Sequence, residues 1–415
     1  MTKTLTQICQ SAHSAGYDVA SAGSEQKNNI LQIAANLITK HQDKIIAVNK
    51  QDIAKAMTKG LTSAMIDRLS LNPARIKAIS DAILAISQLP DPVGKVIWQT
   101  TRPNGLNIKR ITVPLGLLAV IYESRPNVTA DAFALCLKSG NSVILKPGSE
   151  SFDTSKVIFE LLQQAVEQGG LAKDAISIVP NSSREMVDQL LSMDQYIDVV
   201  VPRGGKNLIK KVVSTSKIPV FKHLDGNCHI YIHRSADLAI AKSVLFNAKL
   251  RRTGICGAAE SVLIDEALLP DVINIFADLH EAGCEIRGDE QICKYLDYAK
   301  PADDADYGME YLDKIISVKV VKSTEEAFTH INKYGSAHTD CIIATDESAI
   351  NGFLQKIDSA IVMVNSSTQF ADGGEFGLGA EIGIATGKLH ARGPVGLEQL
   401  VTYKYQVVGN GQVRK

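Results

Sequence analysis

Short apolar segments alternate with amphipathic helical segments from residue 117 onwards, and this alternation restricts the fold more than any other feature of the chain. Buried strands separated by helices pair in parallel, because each crossover helix returns the chain to the same end of the sheet. The pattern therefore predicts an α/β fold with a doubly wound parallel sheet. The first predicted strands are LLAVIY, SVILKPG, AISIVP, IDVVVP and IPVFKHL.

The alternation starts again after Asp225-Gly226, which predicts a second α/β domain of comparable size. Residues 1–90 show a different pattern, with apolar residues at i, i+3, i+4 and i+7, which is the periodicity of helices. The predicted strands of the second domain are HIYIHR, ESVLIDE, IISVKVV, CIIATD and AIVMVN.

A β-hairpin is predicted between the helical region and the first sheet, over residues 95–110. Its turn is Pro103-Asn104-Gly105, and the Asn-Gly pair favours a type I′ turn. The strand-like tail QLVTYKYQVVGNGQ could join this hairpin in a small sheet outside both domains, and exposed edges of this kind often pair between subunits. We therefore expect a homo-oligomer. The predicted organisation is a first domain from 1–94 and 111–224, a second from 225–395, and a β-extension from 95–110 and 396–415.

Composition excludes several classes of protein. Of the 415 residues 45% are hydrophobic, and 44 Lys plus Arg balance 45 Asp plus Glu, so charge predicts neither nucleic acid nor a membrane surface as the main partner. The seven cysteines are an odd number without a C-x-x-C pair or a zinc spacing, which predicts reduced thiols in the cytoplasm and no metal site. No apolar run is long enough to span a membrane, and the N-terminus has no signal-peptide pattern.

Cys256 is the candidate nucleophile. It lies in NAKLRRTGICGAAE between Gly254 and Gly257, with Arg251 and Arg252 before it. Neighbouring positive charge favours the thiolate, and glycines allow a substrate to approach the sulfur closely. The alternative is a small buried side chain, which is what most free cysteines are.

Two predicted strand ends are candidates for holding a nucleotide, because ligands of doubly wound sheets bind at the carboxyl ends of the strands. Lys146 ends the strand in ILKPGSE, and Arg203-Gly204-Gly205 separates a strand from a helix whose N–H groups could bind phosphate. A solvated lysine and a tight strand-to-helix turn are the alternatives.

Two further segments carry groups suited to an anionic substrate or intermediate. YESRPNVTAD offers Arg125 as an anion ligand and Asn127 as an amide donor to an oxyanion, or as a helix cap. The glycine-rich segment 365–400 carries His390 and Arg392, and its alternative is a flexible surface loop.

These segments together resemble the gamma-glutamyl phosphate reductase family of the aldehyde dehydrogenase superfamily, over nearly the whole chain. The resemblance implies a nucleotide-binding domain, a catalytic domain and an oligomerisation extension. It also implies reduction of L-glutamyl 5-phosphate by NADPH to L-glutamate 5-semialdehyde, with release of phosphate, which is the second step of proline synthesis from glutamate. The stretches that carry it are RITVPLGLLAVIYESRPNVTADAFALCLKSGN, VVVPRGGKNLI, HLDGNCHIY, RTGICGAAE, EEAFTHINKYGSAHTD and DGGEFGLGAEIGIATGKLHARGPVGLE.

The resemblance also implies roles for individual residues. Cys256 would attack the acyl phosphate, and Asn127 with the Cys256 N–H would stabilise the oxyanion. Glu310 would hold the nicotinamide ribose, and Lys146 the adenosine ribose. Ser149 stands where NAD-preferring members often carry a glutamate that would repel a 2′-phosphate, which favours NADPH, although Glu150 is adjacent.

Substrate recognition and partners are inferred from the chemistry of the residues and of the substrate. Arg125 and Arg392 are our candidates for the substrate carboxylate, with His390 for the phosphate, because arginine matches the geometry of both anions. A functional association with glutamate 5-kinase is a hypothesis that rests on the lability of the acyl phosphate.

One departure from the superfamily bears on the chemistry. Hydrolytic aldehyde dehydrogenases carry a glutamate base at the start of an E-L-G-G-K motif, whereas this chain reads His223-Leu224-Asp225-Gly226-Asn227. Without that glutamate we expect the thioester to persist rather than hydrolyse. A coenzyme A-acylating aldehyde dehydrogenase would also lack the glutamate and is the alternative enzyme. A catalytically silent member of the superfamily is the non-enzymatic alternative.

Overall fold

The computed structural model describes residues 3–414, which form two compact units. The first unit runs to Lys222 and also includes 377–383 and the chain from Val395. The second unit comprises 223–376 and 384–394. The glycine-rich segment is therefore shared between the units, whereas the sequence pattern placed it with the second domain up to residue 395. Among the described residues no helix is both long and apolar enough to cross a membrane.

The helices begin where the sequence supplies caps. Thr4 and Gln7 form a capping box at the start of the first helix, and Asn72 caps the fifth, which has Pro73 at its first position. The helices are α1 (Leu5–Ser21), α2 (Ser24–Lys40), α3 (Gln42–Thr58), α4 (Ser63–Leu69), α5 (Pro73–Gln88), α6 (Val128–Lys138), α7 (Phe152–Gln168), α8 (Arg184–Leu190), α9 (Lys206–Thr215), α10 (Leu238–Leu250), α11 (Val272–Glu281), α12 (Glu290–Tyr295), α13 (Thr324–Tyr334) and α14 (Glu347–Lys356).

The strands follow the apolar segments of the sequence. They are β1 (Val96–Thr101), β2 (Asn107–Pro114), β3 (Leu117–Tyr122), β4 (Ser142–Pro147), β5 (Ile176–Ile178), β6 (Val199–Arg203), β7 (Cys228–Ile232), β8 (Ala259–Asp265), β9 (Glu285–Gly288), β10 (Lys300–Pro301), β11 (Ile315–Val321), β12 (Thr339–Ile343), β13 (Ile361–Val364), β14 (Ile384–Ala385), β15 (Gly393–Pro394) and β16 (Val401–Val408).

The first unit contains a parallel sheet of four strands in the order β5-β4-β3-β6. Every residue of β3 and β4 is buried, as continuous apolar strands in a parallel sheet require. The prediction of a fifth strand in IPVFKHL is wrong, because this segment makes only an isolated bridge between Val200 and Val220. Pro219 has no N–H to donate to a ladder, which limits the pairing. Tyr122 at the end of β3 pairs with Pro147 and with Arg203, so three strand ends share one edge.

The second unit contains a parallel sheet of seven strands in the order β10-β9-β11-β8-β7-β12-β13. The five predicted strands of this domain are confirmed, and the short strands β9 and β10 extend the sheet beyond the prediction. β8 lies at its centre and is buried along its whole length. Phe276 of α11 and Leu245 of α10 belong to the core that covers one face of the sheet.

The predicted hairpin and tail form an antiparallel sheet in the order β1-β2-β16. The turn is not type I′, since that turn needs positive φ at both central residues and only Gly105, at φ +87°, has it. The Gly105 N–H donates to the Arg102 carbonyl, and the Arg102 N–H donates to the Leu106 carbonyl. Pro103 and Asn104 therefore form the centre of an ordinary turn, and Gly105 takes the left-handed position of a bulge.

Gly105→Ala should weaken the hairpin locally, because a side chain at φ +87° is strained and its Cβ would lie 2.9 Å from Gln412 Nε2. Hydrogen exchange of the peptides over β1 and β2 should report an opening free energy lower by about 1–2 kcal/mol. Gly105→Asn is the matched control, because asparagine tolerates the left-handed region better than alanine. Equal protection in Gly105→Ala and the parent chain would contradict the assigned strain.

Candidate functional site

The loop that carries Cys256 is closed at its base by a buried ion pair. Lys249, at the end of α10, places Nζ 2.5 Å from Glu260 Oε2, at the start of β8, and both side chains are fully buried. Glu260 Oε1 also accepts a hydrogen bond of 3.1 Å from the Leu312 N–H. One carboxylate therefore joins the helix before Cys256, the strand after it and the segment that follows Glu310.

Gly226 packs directly against the backbone of Cys256. A Cβ at Gly226 would lie 2.1 Å from the Cys256 carbonyl oxygen and 2.6 Å from its Cα, so no larger residue fits there without movement. The Gly226 N–H donates a 2.8 Å hydrogen bond to Glu310 Oε1. The structure thus brings Cys256 and Glu310 together through one glycine, and both were candidates from the sequence.

Two histidines lie beside the Cys256 thiol. Nitrogen atoms of His223 and His338 and the Cys256 Sγ are within 4.8 Å of one another, and the two ring centroids are 4.8 Å apart. His338 is buried and its Nδ1 lies 2.8 Å from Thr339 Oγ1. Burial holds the pKa of His338 well below its usual range, and the neighbouring His223 acts in the same direction. His338 lies in the HINKYGSAHTD stretch, but no sequence spacing places it near Cys256.

A second cysteine lies behind the Cys256 loop. Cys228 Sγ donates to the Cys256 carbonyl oxygen at 3.1 Å and lies 3.6 Å from His338 Nδ1. Burial raises the pKa of Cys228 well above that of an ordinary thiol. Cys256 is partly exposed, so these two thiols differ in access as well as in environment.

In the first unit, Lys146 is the next-to-last residue of β4, and only 7% of its surface is exposed. Its Nζ donates to the Ser182 carbonyl at 3.3 Å. Burial lowers the pKa of Lys146, while Glu150 and Glu123 oppose that shift. Ser149 is exposed, and the adjacent Glu150 accepts hydrogen bonds from the N–H and Oγ of Ser124.

The Arg203-Gly204-Gly205 turn lies against a carboxylate that sequence reasoning missed. The Gly205 N–H, at the start of α9, donates to Glu123 Oε2 at 2.9 Å. A Cβ at Gly204 would lie 2.5 Å from the same oxygen. Glu123 therefore holds the helix N-terminus that was predicted to bind phosphate.

Asn127 and Arg125 precede α6 in the first unit. Asn127 Nδ2 donates to Asp131 Oδ2 at 2.9 Å, and its side chain makes no cap hydrogen bond to α6. Burial raises the pKa of Asp131 to about 6, while the Asn127 amide and the positive charge of Arg203 oppose the shift. Arg125 is half-buried, and its carbonyl accepts the Val128 N–H at 3.0 Å.

Arg392 is held by a partner that the sequence did not reveal. Its Nη1 lies 2.7 Å from Asp358 Oδ1, and Lys388 pairs with the same carboxylate. Hydrogen bonds from Lys388 and Arg392 lower the pKa of Asp358. His390 lies between the two cations in the sequence and is exposed.

Comparison with known proteins agrees with this architecture. Residues 2–283 match the profile of the aldehyde dehydrogenase family. The chain is 51% identical to the gamma-glutamyl phosphate reductase of Brucella suis, over all of both chains, and 52% identical to that of Paramagnetospirillum magneticum, over 99% of this chain and 97% of the relative. The crystal structure of the gamma-glutamyl phosphate reductase of Thermotoga maritima superposes with a TM-score of 0.98 at 38% identity, covering both chains completely.

The chain therefore belongs to the aldehyde dehydrogenase family, and it is an oxidoreductase with the fold that the sequence predicted. Within that family it groups with the gamma-glutamyl phosphate reductases, to which it is similar over its whole length.

Glu260→Gln should strip the buried Lys249 of its counter-ion and release both ends of the Cys256 loop. We expect the second unit to lose about 3–5 kcal/mol of stability, as for other broken buried ion pairs, with a parallel loss of catalytic activity. Denaturant unfolding followed by hydrogen exchange over β8 measures the first effect.

The double variant Lys249→Met with Glu260→Leu separates the charge effect from the loop effect. Apolar residues of similar volume should recover most of the stability, because an ion pair of this kind offsets its own desolvation only in part. Full stability of Glu260→Gln alone would show that the pair does not hold the loop.

Proposed function

We propose that this chain reduces L-glutamyl 5-phosphate with NADPH to L-glutamate 5-semialdehyde and releases phosphate, through a thioester on Cys256. The observation that carries the proposal is the partly exposed Cys256 thiol, on a loop closed by the Lys249–Glu260 ion pair. Gly226 packs against the Cys256 backbone and donates its N–H to the Glu310 carboxylate. The reductase names of relatives that are similar over the whole chain support this choice of substrate.

The first chemical step is an acyl transfer to sulfur. The Cys256 thiolate forms a C–S bond with the acyl carbon, the bond from that carbon to the phosphate oxygen breaks, and phosphate leaves with the electron pair and needs no proton. The Cys256 N–H, and the Asn127 amide once it releases Asp131, would donate to the oxyanion. Release of the aldehyde returns the electron pair of the C–S bond to the sulfur.

The residues suited to NADPH are Lys146, Arg203, Gly204, Gly205 and Glu310. The nearly buried Lys146 ammonium, with its 3.3 Å hydrogen bond to a single carbonyl, fits a ribose hydroxyl pair that would complete its donors. Bound NADPH supplies the hydride that reduces the thioester. Ser124 holds the Glu150 carboxylate and leaves Ser149 exposed, which supports tolerance of a 2′-phosphate.

The HLDGN segment bears on the fate of the thioester. Its Gly226 N–H donates a hydrogen bond to Glu310 Oε1, and its Asn227 side-chain amide donates to the carbonyls of Tyr307 and Tyr334 at 2.9 Å each. His223 takes the first place of the motif, where hydrolytic relatives have glutamate. We propose that the thioester survives for hydride transfer, or for phosphate attack in the reverse direction.

The substrate anions would be bound by Arg125, Arg392 and His390. The Asp358 carboxylate orients the Arg392 guanidinium and leaves part of its donor set for a ligand. We also propose that the exposed strand β1, with Trp98 44% exposed, contributes to a homo-oligomer. Association with glutamate 5-kinase would shorten the path of a labile acyl phosphate.

The reverse reaction tests the proposal directly. Glutamate semialdehyde and NADP should yield NADPH only when inorganic phosphate is added, because phosphate must attack the thioester. Cys256→Ala should lower the rate by at least about a thousandfold, as expected for loss of a nucleophile. Cys293→Ser, the other partly exposed cysteine of the same unit, is the matched control and should keep full activity.

Three other outcomes would overturn parts of the proposal. Turnover without phosphate would show that water reaches the thioester. Turnover with coenzyme A but not with phosphate would identify the acylating alternative. No turnover with either acceptor in a folded chain would favour the silent alternative.

The preference for NADPH is tested by Ser149→Glu. A carboxylate beside the 2′-phosphate should raise the KM for NADPH by at least about tenfold, or about 1.4 kcal/mol, through like-charge repulsion. The KM for NADH should change little. Ser24→Glu is the matched control, because it adds the same charge at the exposed start of α2, away from Ser149. Near that start the Gln26 amide donates to the Gly169 carbonyl, which follows the C-terminal end of α7, whereas Ser149 precedes the N-terminal end of α7. Equal effects of the two variants on NADPH would contradict the assignment of Ser149.

A further inference from the structure

The donor set around Cys256 has the composition of a soft-metal site. It consists of one thiol sulfur and two imidazole nitrogens, from Cys256, His223 and His338, all within 4.8 Å of one another. Among the described residues the Nε2 of His338 is buried without a hydrogen-bond partner, while its Nδ1 is engaged by Thr339. A buried imidazole nitrogen without a partner is costly, and a ligand that accepts its lone pair would remove that cost.

We propose that Cys256, His223 and His338 form a binding site for Zn²⁺ or a similar soft divalent ion, and that the bound ion reversibly blocks the enzyme. Sulfur and imidazole donors select zinc over magnesium and calcium, which take oxygen ligands. Three protein ligands leave the fourth tetrahedral position for water.

The geometry requires only a small contraction. Zinc–sulfur and zinc–nitrogen bonds of about 2.3 and 2.0–2.1 Å place tetrahedral ligand atoms about 3.3–3.6 Å apart. The present cluster, with separations up to 4.8 Å, must therefore close by up to about 1.2–1.5 Å. Thr339 engages Nδ1 of His338, so Nε2 would be the ligand atom, and second partners orient metal-binding histidines in this way in general.

Metal binding would occupy the Cys256 sulfur, which the proposed reaction needs as its nucleophile. The Cys256 thiol loses its proton to solvent when the metal–sulfur bond forms, and the sulfur lone pair is then shared with the ion and is a weaker nucleophile. A chelator that removes the ion restores the thiol. The inhibition rests on the proposed function of Cys256, whereas metal binding itself does not.

Co²⁺ is the spectroscopic probe for this site, because cobalt bound to a thiolate shows a sulfur-to-metal charge-transfer band. The full-length protein, reduced and freed of metal, should develop this band on titration with Co²⁺, and Zn²⁺ should displace it. Cys256→Ser should abolish the band. His338→Gln and His223→Gln should each weaken Co²⁺ binding by at least about tenfold.

Matched controls come from the same unit. Cys293→Ser and His280→Gln remove a second partly exposed thiol and an exposed histidine that stacks on Tyr298, and they should titrate like the parent chain. His338 is buried, so circular dichroism must show that His338→Gln is folded; the half-buried His223 gives the independent variant. Undiminished Co²⁺ binding in a folded His223→Gln chain, or a band that survives Cys256→Ser, would overturn the site.

Activity supplies a separate readout. Micromolar Zn²⁺ should inhibit the parent chain reversibly and should inhibit His223→Gln less, while Mg²⁺ should have no effect. Charge-transfer spectra without inhibition would retain the metal site and refute the role of Cys256 as nucleophile. Absence of both would refute the metal site and leave the proposed reaction intact.

Discussion

The Lys249–Glu260 ion pair is the interaction on which the arrangement around Cys256 depends. The loop with the thiol has glycines on both sides of Cys256 and little regular structure, so its shape must be imposed from its ends. A fully buried ion pair does this because neither partner can leave without exposing an unpaired charge to the protein interior. The same Glu260 carboxylate binds the Leu312 N–H, which extends the constraint to the segment carrying Glu310.

At the strand ends of the first unit, carboxylates occupy a sheet edge that is suited to binding a polyanion. Glu123 binds the N–H at the start of α9, and Glu150 is bound by Ser124, whose φ is +47°. Each carboxylate satisfies donors that would otherwise be unpaired and lowers the local positive charge next to Lys146. A phosphate group that binds the Gly205 N–H must therefore displace Glu123, which couples binding to movement of one side chain.

Much of the architecture could be predicted from the sequence, because it follows from local pattern. Strand and helix periodicity identified both parallel sheets, and the Asn-Gly pair located the hairpin, although the turn is a bulge built on Gly105. IPVFKHL was misassigned because apolar composition alone does not make a strand: this segment forms a single isolated bridge, and its Pro219 has no N–H to donate to a ladder. Cys256 became a candidate through its flanking glycines and arginines, and Glu310 through the resemblance, whereas their connection through Gly226 required the structure.

The residues that sequence reasoning missed share one property: their partners are distant in the chain. His338 and His223 flank one thiol only because β12 and the HLDGN segment meet near the Cys256 loop. Asp358 holds Arg392, and Glu123 caps α9, through contacts that no periodicity encodes. Spacing rules for metal and catalytic motifs apply within one local element. They therefore do not detect a cluster whose residues come from three separate segments of the chain.

The seven cysteines differ in burial, so the fold determines which thiols can react with reagents in solvent. Five of them are buried, and burial raises the pKa of each of these five, so they present little thiolate to solvent. Cys293 is partly exposed, but burial raises its pKa as well. An alkylating reagent in water therefore meets two partly exposed thiols, Cys256 and Cys293, and burial disfavours the thiolate of Cys293. A label reports on the Cys256 loop alone once Cys293 is replaced, and none of the five buried cysteines needs to be removed.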